Sequence, residues 1–289
     1  MTFDEFLETA WNDHGDRPQE VADRLASSLH VMETAEHIPP FARLVMHVYG
    51  EHLGQWDPGI ALLESLRRLP ASAGSPAAAG ALDRNIATLR YASGDSSVLE
   101  SLSTEDRISV LALAASAFSG RNGMKRAIAT YAEALALAEA GLPPQSPALR
   151  ALAVGGNNLA SALEEKADRD DAETEGMVVA AKGGLTYWKQ AGTWLEEERA
   201  EYRLTRSLLQ ARRPRDAIVS AQRCIDVCAR NDAPVIETFF GYVVLALAQR
   251  ASGDATAFAA SRQQALALYG QVPADEQRWC QSDLGDIGK

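Results

Sequence analysis

Apolar positions recur at three- and four-residue intervals along almost the whole chain, and no stretch shows the period of two that a half-buried strand requires. Ile128, Tyr131, Leu135 and Ala138 form a stripe spaced i, i+3, i+7 and i+10, and Ile218, Ala221, Ile225 and Cys228 repeat it ninety positions later. Each stripe falls on one face of a helix. Turn signals separate such segments: Gly15-Asp16, Gly54, Gly94-Asp95, Gly120-Arg-Asn-Gly123, Arg212-Arg213-Pro214 and Gly253-Asp254. Longer, proline-bearing breaks fall at Pro39-Pro40, Pro70 to Pro76, Pro143 to Pro147 and Pro234. Tight turns alternating with proline-rich connections predict a run of helical hairpins, helix A then helix B. Ala172 lies midway between Ala127 and Ala217, each near the start of a B helix, and sets a repeat of about 45 residues. Self-similarity at that period predicts a solenoid in which each hairpin buries its apolar faces on its neighbours.

The small and bulky positions carry a more specific pattern. Ala115, Phe118, Gly120 to Gly123, Ala127, Tyr131 and Ala134 make one complete unit. Ala160, Leu163, Asp168-Arg169 and Ala172 make a second, and Leu204, Leu208, Ala217, Ala221 and Cys224 a third. This pattern resembles the tetratricopeptide repeat (TPR) family, and Asn157-Asn158-Leu159-Ala160 is similar to the start of helix A in its longer, kinesin-light-chain type of repeat. The resemblance is clearest over 104–231. It implies an all-α, right-handed superhelical solenoid of antiparallel hairpins, with small residues where helices approach and bulky ones filling the space beside them. The expected organisation is degenerate hairpins and a cap over 1–75, the repeat array over 76–271 and a capping tail over 272–289. Ser96 to Leu102 leaves room only for a short B helix, and Gly176 and Gly183 are expected to weaken the B helix that holds them.

Composition narrows the function classes. The 289 residues carry 39 acidic and 28 basic side chains, a net charge of −11. That balance argues against nucleic acid or an anionic membrane as partner, because both demand clustered positive charge. About 50 alanines and an aromatic fraction of 7% suit closely packed helices rather than sheets. There is no basic and then apolar leader pattern at Met1 and no apolar run of about 20 residues, so a cytoplasmic protein without membrane insertion is expected. Three cysteines, Cys224, Cys228 and Cys280, do not make a disulfide framework.

Motifs for catalysis are missing: no phosphate-binding glycine loop, no G-x-S-x-G, no H-E-x-x-H and no paired C-x-x-C. The chain is expected not to be an enzyme and to need neither cofactor nor metal. All five histidines precede residue 53, and His30, Glu33 and His37 have ligand spacing if their helix is continuous, but a solvated edge beside the Val21, Leu25, Leu29 and Met32 stripe is the favoured reading. Cys224 and Cys228 occupy small-residue and stripe positions and read as core.

The sharper signal is polar. In the TPR frame, helix A of one unit turns Asn157, Asn158, Ser161, Glu164 and Glu165 toward the concave face, and the next turns Arg199, Tyr202, Arg203, Arg206 and Gln210. Asparagine amides grip a peptide backbone and arginines pair with carboxylates. Asn158, Arg199 and Arg203 match half of the carboxylate clamp of chaperone-binding TPR domains, but Ala112 and Ser116 stand where that clamp has Lys and Asn. The arginines have a competing role in ion pairs with Glu164, Glu165, Glu196 or Glu201. Phe239, Phe240 and Val243 are either a groove wall or core, and Trp279 either caps the solenoid or anchors a partner, with capping favoured. The expectation is therefore a protein-interaction module that takes a peptide segment or helix of another protein against Asn157, Asn158, Arg199, Tyr202, Arg203 and Arg206. A sensor of a small peptide or metabolite, or a self-assembling scaffold forming a homo-oligomer, remains the alternative.

Overall fold

The computed structural model describes residues 1–288, which form fourteen α-helices, several short 3-10 turns and no strand. Two compact units divide the chain, residues 1–152 and 153–289. The first unit contains α1 (Phe3–Asp13), α2 (Pro18–Ser27), α3 (Ile38–Met46), α4 (Trp56–Leu66), α5 (Pro76–Ser93), α6 (Thr104–Gly120) and α7 (Met124–Ala138). α8 (Pro147–Glu165) begins in the first unit and ends in the second. The second holds α9 (Asp171–Ala191), α10 (Trp194–Gln210), α11 (Pro214–Arg230), α12 (Val235–Ser252), α13 (Ala255–Tyr269) and α14 (Gln281–Gly288). None of these helices is long and apolar enough to cross a membrane.

Helix starts are written in side chains that satisfy the free N–H groups of the first turn. Thr2, Asp170 and Thr193 each form a reciprocal capping box with the glutamate three residues on, Glu5, Glu173 and Glu196. Ser75, Ser103 and Asp254 cap α5, α6 and α13 alone. Pro39 and Pro40 sit in the first turn of α3, where a missing N–H costs nothing. Hairpin turns share one geometry. A residue with positive φ follows the helix at Gly94, Asn122, Arg212, Asp232 and Gly253. The next N–H then returns to a carbonyl five residues back, as in Gly123 to Phe118 and Arg213 to Leu208, both 2.8 Å.

The ninety-residue correspondence holds in burial. Ala127, Thr130, Tyr131, Ala134 and Ala138 are buried in α7, as are Ala217, Ser220, Ala221, Cys224 and Cys228 in α11. Ile128 and Ile218 are only half-buried, so the core-facing line runs one residue earlier at its start. In the unit between, Ala172 is exposed and Glu173 is buried, because the Asp170 capping box and Lys166 hold the Glu173 carboxylate. The registry there is therefore shifted by one from the sequence expectation. Gly176, Met177, Ala180 and Gly184 take the places of Thr130, Tyr131, Ala134 and Ala138.

Two other local expectations change. The segment after Gly94 is a 3-10 turn, Ser96–Leu99, rather than a short helix to Leu102. α9 runs unbroken for 21 residues despite its glycines. A Cβ on Gly184 would lie 3.0 Å from the Asn157 amide nitrogen and 3.3 Å from the Ala153 carbonyl oxygen, so the missing side chain is what lets α9 approach α8. The conformational cost of glycine is offset by close packing.

Each unit has its own core. Phe6, Leu25, Ile38, Phe41, Leu44, Leu63, Leu66 and Leu89 dominate the first. In the second, Phe239, Val243, Ala246, Ala265, Cys280 and Ile287 join α12, α13 and α14. His30, Glu33 and His37 do not share a helical face. Residues 29–31 and 35–37 are separate 3-10 turns, the His37 ring stacks on Phe3 at 4.1 Å, and its Nδ1 accepts from the Glu33 amide.

Candidate functional site

Successive turns of α10 bring Arg199, Tyr202, Arg203 and Arg206 onto one side of the helix, with Glu198 beside them. With α8, α12 and the segment before α14, four of these surround an open cavity of about 640 Å³. Its lining includes Asn157, Glu198, Arg199, Tyr202, Arg203, Glu237, Phe240, Trp279 and Asp283. Arg206 lines a neighbouring opening of about 910 Å³ with Arg169, Gln210, Arg250 and Asp286. Asn158 lines neither.

The basic side chains already have carboxylate partners within the chain. Arg199 pairs with Glu237 at 2.7 Å and Arg203 with Glu164 at 2.6 Å. Ser207 donates to the other oxygen of Glu164 at 2.7 Å. Arg206 stands 3.8 Å from both Asp283 and Asp286 and donates to the Tyr202 hydroxyl at 3.1 Å. Tyr202 in turn donates to Asp283 at 2.7 Å. The Glu164 and Glu237 side chains are 7% and 10% exposed, so these are largely desolvated acids held by cations, unlike freely solvated surface pairs. A reversal at Arg203 would thus set two carboxylates against each other, and it tests stability together with binding. Asn157 and Asn158 differ. Both are half-buried, and among the described residues neither amide has a hydrogen-bond partner.

The acids are the part of the site that spacing did not single out. Glu198, Glu237 and Asp283 come from α10, α12 and α14, so no local motif links them. Burial, reinforced by the nearby Glu237, raises the Glu198 pKa to about 7, against a lowering contribution from the Cys224 thiol that donates to it at 2.9 Å. Burial likewise raises Asp283 and Tyr202. Cys224 and Cys228 are buried, and burial pushes the Cys228 thiol up to about 12, so both remain protonated thiols at neutral pH.

The tail lies against this face. Cys280 and Ile287 are buried on the α12–α13 core, with Leu284 packed beside them. The Arg250 guanidinium donates to the Asp286 carbonyl and Arg262 to the Ile287 carbonyl. Trp279 does not join that packing. It is 62% exposed at the cavity rim, beneath the Arg278 guanidinium at 4.7 Å, so the cap is made by the residues after it. Phe239 and Val243 are core, and half-buried Phe240 alone of that trio lines the cavity. Ala112 and Ser116, at the missing clamp positions, are buried in α6.

No family model matches the sequence, and no curated protein is similar to it. Solved structures are. A Podosopora anserina protein of kinesin-light-chain type with nearly identical TPR-like repeats has a TM-score of 0.51 at 14% identity, over 83% of this chain and 98% of that one. BtubC from P. vanneervenii has a TM-score of 0.48 at 16% identity, over 75% and 89%. Identity this low speaks to the fold alone, and it agrees with the hairpins, turn geometry and small-residue contacts above: the chain has a TPR-like helical-repeat fold.

Proposed function

We propose that the face formed by α10 and α12 binds a peptide segment or short helix of a partner protein, without catalysis. The observation that carries this reading is α14, a helix of this chain seated on the same face. It presents Asp283 to Tyr202 and Arg206 on its polar side, and Leu284 and Ile287 to the apolar core. The adjoining cavity offers a continuation of that surface: the Asn157 amide, the exposed Arg199, the apolar wall of Phe240 and the exposed Trp279 ring. Groups held in place by buried ion pairs lose little freedom on binding, so the ordering cost falls on the ligand. An aromatic ring at the rim of a partly apolar pocket is the residue type that dominates interface energetics.

The test compares capture of partners from the source lysate by wild type and by an Asn157→Ala/Trp279→Ala double variant. Neither residue is tied into the ion-pair network, so the melting temperature is expected to hold while capture falls at least tenfold. Equal capture by both proteins removes this face as the interaction site.

A further inference from the structure

The first unit contains three histidines that local sequence spacing does not bring together. α3 continues without a break into a π-helical segment, His47–Leu53, which ends at Gly54 in the left-handed conformation. In an α-helix, residues five apart point about 140° away from each other. The wider i→i+5 turn of a π-helix brings them to nearly the same side. His47 and His52 are such a pair, and their Nε2 atoms lie 3.1 Å apart. His14, the residue after α1, completes the group, and one ring nitrogen from each of the three falls within 4.8 Å of the others.

The rings are oriented as ligands. The Nδ1 of His47 bonds to the Glu51 carboxylate at 2.9 Å, and the Nδ1 of His14 is turned to the Trp11 carbonyl oxygen. Each contact fixes the Nδ1–H tautomer and turns the Nε2 lone pair inward, the arrangement that carboxylate and carbonyl groups impose on metal-bound imidazoles; the His47 lone pair accepts from the His52 Nε2–H at 3.1 Å, a proton that a bound ion would displace. Two nitrogens at 2.0–2.1 Å from a tetrahedral ion are about 3.3–3.4 Å apart, close to the spacing of His47 and His52. Trp11 packs against His14 and His47, with centroids 5.0 and 5.2 Å away, and shields one side. Asp13 is engaged by Arg17 and Arg24, which leaves the three imidazoles as the donor set. All three are half-buried, so an ion has a route in.

We infer that His14, His47 and His52 form a binding site for a divalent transition-metal ion, with Zn²⁺ favoured and the fourth position open to water or an exogenous ligand. Three neutral nitrogen donors and no oxygen donor suit Zn²⁺, Co²⁺ or Ni²⁺ and reject Mg²⁺ and Ca²⁺. Bound there, the ion would tie the end of α1 to the π segment of the same unit.

The experiment uses the full chain without a histidine tag, stripped with chelator and titrated with Co²⁺ and then Zn²⁺. The expected result is one equivalent of Co²⁺ with the intense visible bands of four-coordinate cobalt, displaced by Zn²⁺ and untouched by excess Mg²⁺. His14→Gln, His47→Gln and His52→Gln should each weaken binding more than tenfold, and Glu51→Gln, acting through His47, by about 10–100-fold. His30→Gln and His37→Gln should bind as wild type. X-ray absorption of the zinc-loaded wild type needs no variant to fold and should show three imidazole nitrogens at about 2.0–2.1 Å. Absence of saturable Co²⁺ or Zn²⁺ uptake overturns the inference. So does uptake indifferent to all three substitutions, or a shell with fewer than two imidazoles.

Discussion

Glu198 shows how a single side chain links stability to pH in this protein. In the unfolded chain its carboxyl has the ordinary value of 4.5, and in the fold burial and the nearby Glu237 raise it to about 7. Between those values the unfolded chain has released a proton that the folded one retains, so this residue's contribution falls as pH rises from about 4.5 to about 7 and is level above. Glu198→Gln keeps an oxygen for the Cys224 thiol and removes the charge. Its stability gain over wild type is expected to be near zero at pH 4.5 and about 3 kcal/mol at pH 8. Urea unfolding at both pH values reads this, and equal gains at the two would mean that Glu198 does not hold its proton in the fold. Residue identities at turns were legible beforehand: Gly94, Gly253 and the Gly120 to Gly123 run marked three of them. Arg212 was recognisable only from the flanking Pro214 and from Asn122, its counterpart ninety positions earlier with nearly the same φ, 56° against 59°.

At the scale of elements, helix existence follows from local periodicity and helix contacts from the sizes of particular side chains. α9 illustrates the division. Its glycines predicted weakness in isolation, but Gly184 lies against the α8 backbone, and the helix is continuous. Gly184→Leu is therefore expected to lose about 1–3 kcal/mol by forcing the two helices apart. Because the clash is with the Asn157 backbone, it should also weaken ligand capture at the α10–α12 face. Thermal unfolding with a parallel capture assay tests both, and a variant as stable as wild type would remove close approach as the reason for the glycine. The one-residue shift at Ala172 has a related cause. Glu173 is drawn inward by its capping box and Lys166, an exchange of apolar for charged burial that a pattern of small residues does not encode.

For the whole molecule, the tail over 281–288 is as much a part of the second unit as any repeat helix. It covers Phe239 and Val243 and supplies Asp283 and Asp286 to Tyr202 and Arg206. Deleting it should expose that core, lower the melting temperature by several degrees and cause concentration-dependent association, read by light scattering. A truncated chain that stays monomeric with an unchanged melting temperature would show that the tail is not a structural cap.

The all-helical class, the hairpin repeat, most of the turns and the α10 face that gathers Arg199, Tyr202, Arg203 and Arg206 follow from residue order; the Pro39-Pro40 break does not, since both prolines open α3. Those features are set by residues within a few positions of one another, or by a pattern that returns at a fixed period. What those side chains meet depends on how the helices pack. The arginines pair with Glu164, Glu237 and Asp283, which lie 38 to 77 positions away, while Asn157 keeps its amide free. The histidine cluster depends on it twice. A π-helical turn aligns His47 with His52, and chain folding carries His14 to them. Spacing on a regular helix predicts neither, because both depend on contacts between segments distant in sequence, as in the Tyr49 hydroxyl of the π turn bonded to the Ala22 carbonyl of α2.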